Sequence, residues 1–594
     1  MSSEGEGAFA ALPAELLVSV VVRLPVDSRL LAAGVNRHCR AALASPRVWD
    51  DLDLCFEGGA APMTRLHDMA CGKADDEHFQ HWTDVSMALL RAAARRAPRR
   101  LVVQDMFLLL DDEEVMQVLR APSLRELHVE GDLNPEGVAA LLSALPALPL
   151  LSVGYVIEVA LIDAAQFLDG AAREPRLRLH DLRLITAWDY TGNVPHYVSP
   201  QAAAALAAAV LAYPWPLNAL VLSVTANEDT GGSLERLITA ARQVRVSTLC
   251  LFCDGLDAAC QAALRALLHD GHVQKLGLWG SLREDEAAAP TETRHLATAL
   301  RASAALRTLR LIGVTFARSP DDFVCLMEAL TGHPTLASLE MQRVPLAGDT
   351  RMGAALAALV SADTPALGAL HVEDCSLHAV NLTALLCALR RNRHLRELRC
   401  TANQHDNMTL EQASAVAAAL AAKSTLEVLD LSSTKLADAP GEVSPLAVLL
   451  ASLVEHPSLR ELHIVDTGTA TPRAALGLGA CLHALVVADT PALKALDVSL
   501  NGLRAEGLSL LLRALPHNTH LETLYCSYNT AGCANVDEAF ARDVLLPAVR
   551  ANSSLGRLIC GGDELGGAAS GSWLPPLPSF VEAMRLVDRR PLWQ

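Results

Sequence analysis

The sequence predicts an α/β solenoid: strand–turn–helix units stacked so that the strands form a parallel sheet on an inner curve and the helices cover the outer one. Three observations lead there. A nine-residue phrase recurs, clearest as L-E-V-L-D-L-S-S-T at Leu426–Thr434, and its leucines stand in a 1-4-6 spacing. Strand side chains alternate faces, so Leu429 and Leu431 point one way and Asp430 the other. From Leu306 to Leu555 the copies follow at steps of 30, 31, 28, 31, 33, 34, 28 and 34 residues, a period that marks a repeat array. Between the copies apolar residues return at helical spacing, as at Leu446, Leu449, Leu450 and Leu453. One unit cannot bury both its strand leucines and its helix stripe, but stacked neighbours can. A chain of 594 residues is also too long for one ordinary core.

Taken in order, residues 1–8 read as a disordered leader with no basic segment before an apolar run, hence no export signal. Residues 9–54 hold two apolar helical sets. Leu12-Pro13 opens the first, because proline loses nothing by lacking an N–H in a first turn, and Leu16, Leu17, Val20, Val21 and Leu24 follow before Pro25 stops it. Leu30, Leu31 and Val35 form the second, and the segment closes on P-R-V-W-D-D-L-D-L at Pro46–Leu54. The pattern L-P-A-E-L-L, L-P, Val35, Arg40 and the closing P-x-V-W-x-x-L-x-L resembles an F-box. Asn36 and Cys39 depart from it, standing where that family commonly has Cys and Trp. The resemblance implies an all-α three-helix module docking on a Skp-type adaptor and, through it, a cullin. Leu12, Pro13, Leu16, Leu17, Leu24, Pro25, Val35 and Trp49 would build the adaptor face and its core. From spacing alone the same stretch reads as a helical cap on the array.

Residues 55–81 are aperiodic, with Gly, Pro and Asp, and read as a linker or insertion. Residues 82–303 hold looser copies of the phrase, among them Leu101–Val103, Leu124–Asp132, Leu148–Val153, Leu179–Leu184, Leu217–Leu222, Val246–Leu251 and Val273–Leu278. Arg91, Arg95, Arg96, Arg99 and Arg100 form a basic cluster, readable as a solvated helix face or as a patch for an acidic partner. Asn134-Pro135-Glu136 and Ser199-Pro200 carry cap-then-proline helix starts. The loop Ala187–His196 exceeds what a repeat needs and is either a specialised contact or a tolerated surface insertion.

Residues 304–565 hold the regular repeats. Ser319-Pro320 and Ser444-Pro445 open helices, and Thr409-Leu410-Glu411-Gln412 reads as a capping box. The ninth phrase position holds Cys375, Asn403, Thr434, Thr467, Asn501 and Asn529, groups able to bond the turn backbone. The phrase and its unit length resemble leucine-rich repeats of the ribonuclease-inhibitor type, which form a horseshoe. In residues 566–594 the pattern lapses, and Phe580–Val587 reads as a closing helix.

The balance of 49 basic against 67 acidic residues gives −18, and aromatics are 4% of the chain. Both argue against a nucleic-acid surface, which needs cations to displace counterions and rings to stack on bases. No uninterrupted stretch of 18 apolar residues predicts a membrane span, and 14 scattered cysteines predict reduced thiols in a cytoplasmic or nuclear protein. Cys250 and Cys253, three apart on a strand, face opposite sides and do not make a zinc pair. No nucleotide-binding or nucleophile motif sits in a fitting context. The sequence predicts no catalytic residue, metal or cofactor.

The fifth phrase position samples the face left to a partner: Arg310, Glu340, His371, Arg399, Asp430, His463, Asp497 and Tyr525. Their mixed signs suit a folded protein target. The expected function is substrate recognition in a cullin–RING ubiquitin ligase. The other reading is a stand-alone repeat scaffold or inhibitor with a helical cap.

Overall fold

The computed structural model describes the strand backbones between residues 51 and 185, helical residues 165, 168, 169, 172 and 173, and most of residues 200–559. Breaks fall at 215–216, 218, 224–230, 253–257, 280–292, 315–319, 347–348, 404–406, 437–443, 468–471 and 530–537; residues 579, 582, 583, 586 and 587 follow. The chain divides into two compact units, Met1–Leu276 and Gly277–Gln594.

In the first unit, β1 (Asp51–Cys55), β2 (Arg100–Gln104), β3 (Glu126–Glu130) and β4 (Leu150–Val153) pair in parallel in that order. A second parallel set follows: β5 (Val156–Ile157), β6 (Asp181–Ile185), β7 (Ala219–Ser223) and β8 (Thr248–Phe252). Here the expectation of one sheet needs correction. Only two residues separate β4 from β5, yet β4 pairs with β3 and β5 with β6. The two strands, close in sequence, belong to different sheets. The interval 9–54 read as F-box ends inside β1, so Asp51–Leu54 are sheet. The helices of this unit are α1 (Pro200–Ala212), opening at the predicted proline, α2 (Gly231–Gln243) and α3 (Ala258–His269). β9 (Lys275–Trp279), at the division between the units, buries Leu276 and Leu278.

The second unit is an α/β solenoid of leucine-rich repeats. Nine parallel strands run in chain order among its described residues: β10 (Thr308–Ile312), β11 (Ser338–Gln342), β12 (Ala369–Glu373), β13 (Glu397–Arg399), β14 (Val428–Asp430), β15 (Glu461–His463), β16 (Ala495–Asp497), β17 (Thr523–Tyr525) and β18 (Arg557–Ile559). Its helices are α4 (Thr293–Ala302), α5 (Pro320–Leu330), α6 (Thr350–Ser361), α7 (Ala379–Ala388), α8 (Leu410–Ala421), α9 (Pro445–Leu453), α10 (Pro472–Val487) and α11 (Arg504–Ala514). Last come α12 (Glu538–Phe540) and α13 (Leu546–Ala551), joined by a π-helical stretch at Ala541–Leu545.

The physical causes are those of the repeat. In β10, β11 and β12 alternate residues are buried, so each strand sends two side chains, such as Leu309 and Leu311, into the core. In α9 the stripe Leu446, Leu449, Leu450 and Leu453 is buried as well. Helix starts are fixed chemically. The Ser444 hydroxyl accepts from Ala447 N at 3.1 Å, and Thr409 with Gln412 closes a reciprocal capping box at 3.2 and 2.8 Å. At the C-terminal end residues 579, 582, 583, 586 and 587 are helical. Ala583 and Val587 are buried, and Arg550 pairs with Glu582. No described helix is long and apolar enough to cross a membrane.

Candidate functional site

Parallel pairing in strict register turns the fifth phrase position into one row. Arg310 lies opposite Glu340, then His371, Arg399, Asp430, His463, Asp497 and Tyr525, each against the next. Strands sit about 4.8 Å apart, so the row is a rail of side chains on the sheet face away from the helices. The apolar residues on either side of each member are buried, which holds the rail's backbone in place.

The rail is a chain of charge contacts. Arg310 reaches Glu340 at 2.5 Å. His371 Nε2 stands 3.0 Å from Glu397, Arg399 bonds Glu397 at 2.7 Å, and Asp430 lies 4.0 Å from Arg399. His463 sits between Asp497 at 4.0 Å and Glu461 at 3.7 Å. Burial pushes the Glu397 carboxyl up, but the Arg399 hydrogen bond and the His371 and Arg399 charges leave it below the usual range. The imidazole of His463 is held above its ordinary value by the neighbouring Asp497 carboxylate, against the opposing effect of burial. Arg557, one strand beyond the row, places its guanidinium 5.4 Å from the Tyr525 ring centre.

Two sequence expectations change here. Asp430 was expected to be exposed; it is buried, 8% accessible, and accepts a hydrogen bond from Ser432 N at 3.0 Å. Its short side chain lies down on its own turn while the longer Arg399 and His463 flank it. His371 and His463 were expected on the open face with the rest of the row. Both are half-buried beside carboxylates.

Next to the rail runs a second row, at the turn. Gly313, Arg343, Asp374, Ala402, Ser433, Asp466, Leu500 and Tyr528 all have φ between 49° and 61°. Each backbone N–H from Gly313 to Leu500 bonds a carbonyl of the next unit, as Leu500 N does to Ser527 O at 2.9 Å. Left-handed backbone costs a residue with a Cβ roughly 1–2 kcal/mol. Leu500 and Tyr528 are bulky, sit in that conformation and remain 48% and 47% exposed.

The ninth positions bond the turns. Asn501 accepts from Thr467 N at 2.9 Å and donates to Val498 O at 3.0 Å, and Asn529 accepts from Asn501 N at 3.0 Å. Asn403 accepts from Cys375 N at 2.8 Å, and the Thr434 hydroxyl donates to Leu431 O. A third polar column escaped the sequence reading. It lies three residues before each phrase: Ser303, His333, Thr364, Asn392, Lys423, His456, Thr490, Asn518 and Asn552, all buried. Asn392 accepts from Leu395 N at 2.7 Å and donates to Val360 O in the preceding unit at 2.8 Å. Asn518 and Asn552 do the same with Leu521 N, Val486 O, Leu555 N and Leu515 O. Lys423 instead donates to Asn392 O at 2.9 Å and Thr425 Oγ1 at 2.5 Å, and burial pulls its ammonium down to about 8. The column was findable as a polar position at fixed offset in an Ala- and Leu-rich context, but its residue types vary.

The described residues offer no reactive constellation. None of their His, Cys, Asp and Glu side chains group in threes to hold a metal. Cys250 is buried on β8, while Cys253 lies outside the described residues. Burial pushes the Cys375 thiol up to about 12, far from a working nucleophile. Leu12, Pro13, Leu16, Leu17, Leu24, Pro25, Val35 and Trp49 lie outside the described residues, as do the basic cluster from Arg91 to Arg99, the Asn134 helix start and the loop Ala187–His196.

No family model matches the chain, and no curated protein matches it. Among solved structures it is similar to a leucine-rich repeat-containing protein, LegL7 of Legionella pneumophila. The identity is 16% and the TM-score 0.33, over 62% of this chain and 97% of that one.

Proposed function

We propose that this chain is a non-enzymatic receptor that holds a protein target against the open face of its repeat sheet. The observation that carries the reading is the rail: eight register-aligned positions of mixed character, seven of them partly exposed. Such a row gives a partner complementary charges at fixed spacing, which favours specificity over non-selective adhesion. No described group supplies a nucleophile, a metal or a phosphate cradle beside it.

The finer reading makes the receptor the substrate-recognition subunit of a cullin–RING ubiquitin ligase in the cytoplasm or nucleus. Its support is the F-box-like stretch from Phe9, with L-P-A-E-L-L and the closing V-W. The adaptor would dock on Leu12, Pro13, Leu16, Leu17, Leu24, Pro25, Val35 and Trp49, and the repeats would raise the target's effective concentration near the ligase. Affinity capture with mass spectrometry tests both levels. Leu16→Asp with Leu17→Asp should abolish capture of a Skp-type adaptor and a cullin. Arg310→Glu with Arg399→Glu should keep the adaptor and lose the target. Adaptor capture that survives the first pair refutes the ligase role and leaves the stand-alone scaffold. A target that survives the second pair refutes the rail as binding face.

A further inference from the structure

We propose that Leu500 and Tyr528, with Asp466 and Asp497 beside them, form the anchoring subsite for a polypeptide segment that sets a Lys or Arg next to a large apolar side chain. This rests on the reading that the open face holds a protein, and adds the chemistry of what it holds.

The turn row carries the argument. Its eight residues share one backbone conformation, and six of them are Gly, Arg, Asp, Ala, Ser and Asp. The turn therefore asks only for a residue that tolerates positive φ, which glycine does without strain. In the last two described members of the row the slot holds a leucine and a tyrosine instead. Neither folds back into the core, and both remain about half exposed. They are adjacent, because Leu500 N bonds Ser527 O. Together with Tyr525 on the neighbouring row they present a leucine and two rings at one end of the face. Aromatic side chains grouped in this way act as interface anchors.

Charge selects the occupant. Asp466 N bonds Ser499 O, so the exposed Asp466 carboxylate adjoins Leu500 along the turn row. Asp497 follows His463 on the rail, one strand before Tyr525; its carboxylate accepts from Ser499 N at 3.0 Å and lies 4.0 Å from His463, so it adds negative charge beside the exposed Asp466. Arg557 is occupied over the Tyr525 ring. An acid-flanked apolar pair fits a cation beside a hydrophobe and repels an acidic segment.

The test is selection from a random twelve-residue peptide-display library on the full-length chain. Enriched peptides should carry Lys or Arg within about three residues of Leu, Ile, Met or an aromatic. Leu500→Gly with Tyr528→Gly is the key variant: Gly313 already fills the same slot at φ 61°, so the variant should melt no lower than the parent. The strongest selected peptide should bind it at least tenfold more weakly, by fluorescence anisotropy. Asp466→Asn with Asp497→Asn should weaken that peptide several-fold and flatten its salt dependence. No enriched motif, an acidic or uncharged motif, or equal affinity for the glycine variant overturns the proposal. Its fate is separable from that of the ligase role. Adaptor and target capture with no basic-apolar motif sinks this inference alone; the motif without adaptor capture sinks the ligase role alone.

Discussion

Lys423 stands in a column whose other members are neutral hydrogen-bonding groups, and it is almost wholly buried. Its contacts are the backbone carbonyl and side-chain amide oxygens of Asn392 and the Thr425 hydroxyl, so the ammonium is hydrogen-bonded to neutral oxygens. Lys423→Asn should reproduce the bonding that Asn392 makes one unit earlier and stabilise the fold by about 1 kcal/mol in denaturant unfolding. The sign with pH follows from a folded value of about 8 against an ordinary 10.5. The lysine's relative contribution is present above 10.5 and lost as pH falls to about 8, so the gap between variant and parent should narrow as pH rises through that window. His463 gives the opposite slope. Its value is raised above 6.5, so its contribution is complete below 6.5 and lost as pH rises through the folded value. Unfolding curves of the parent should lose stability across neutral pH relative to His463→Gln; parallel curves would refute the Asp497 pairing. At this scale the rail's members were legible as letters. That Asp430 lies down and is buried was not, because it depends on the neighbouring strands.

At the scale of elements, helix starts at Pro200, Thr409 and Ser444 were readable because a cap is a local chemical event. The assignment of β4 and β5 to different sheets was not, since pairing is decided by distant partners. Packing between helices was equally invisible. A Cβ on Gly479 of α10 would lie 2.5 Å from Gly507 Cα in α11, and one on Gly507 would meet Ala475 O at 2.6 Å. The two backbones touch, so Gly479→Ala should cost about 1–3 kcal/mol by forcing them apart. Gly477, on the same helix, has nothing within 4 Å of that position. Gly477→Ala should instead stabilise by about 0.5–1 kcal/mol through helix propensity. Thermal melts of the two variants should move in opposite directions.

For the molecule as a whole, the repeat predicts near-neighbour energetics. Leu429→Ala should cost about 2–5 kcal/mol, as truncation of a fully buried leucine does. Leu429 and Leu462 pair across β14 and β15, whereas Leu524 is three strands from Leu429. The double variant with Leu462→Ala should depart from additivity by about 0.5 kcal/mol or more, while that with Leu524→Ala should add within about 0.5 kcal/mol. Equal coupling in both pairs would count against a stacked array.

The sequence alone determined the class of fold, the unit length, the strand phase and which residues share the row opposite the buried leucines, because each follows from a period in which every leucine is counted against its own neighbours. Tertiary structure decided which side chains that face truly exposes, where the first sheet divides, and which polar column stitches one unit to the next. Those depend on registry between residues some thirty positions apart, and a hydrogen bond across that gap leaves no fixed letter in the chain.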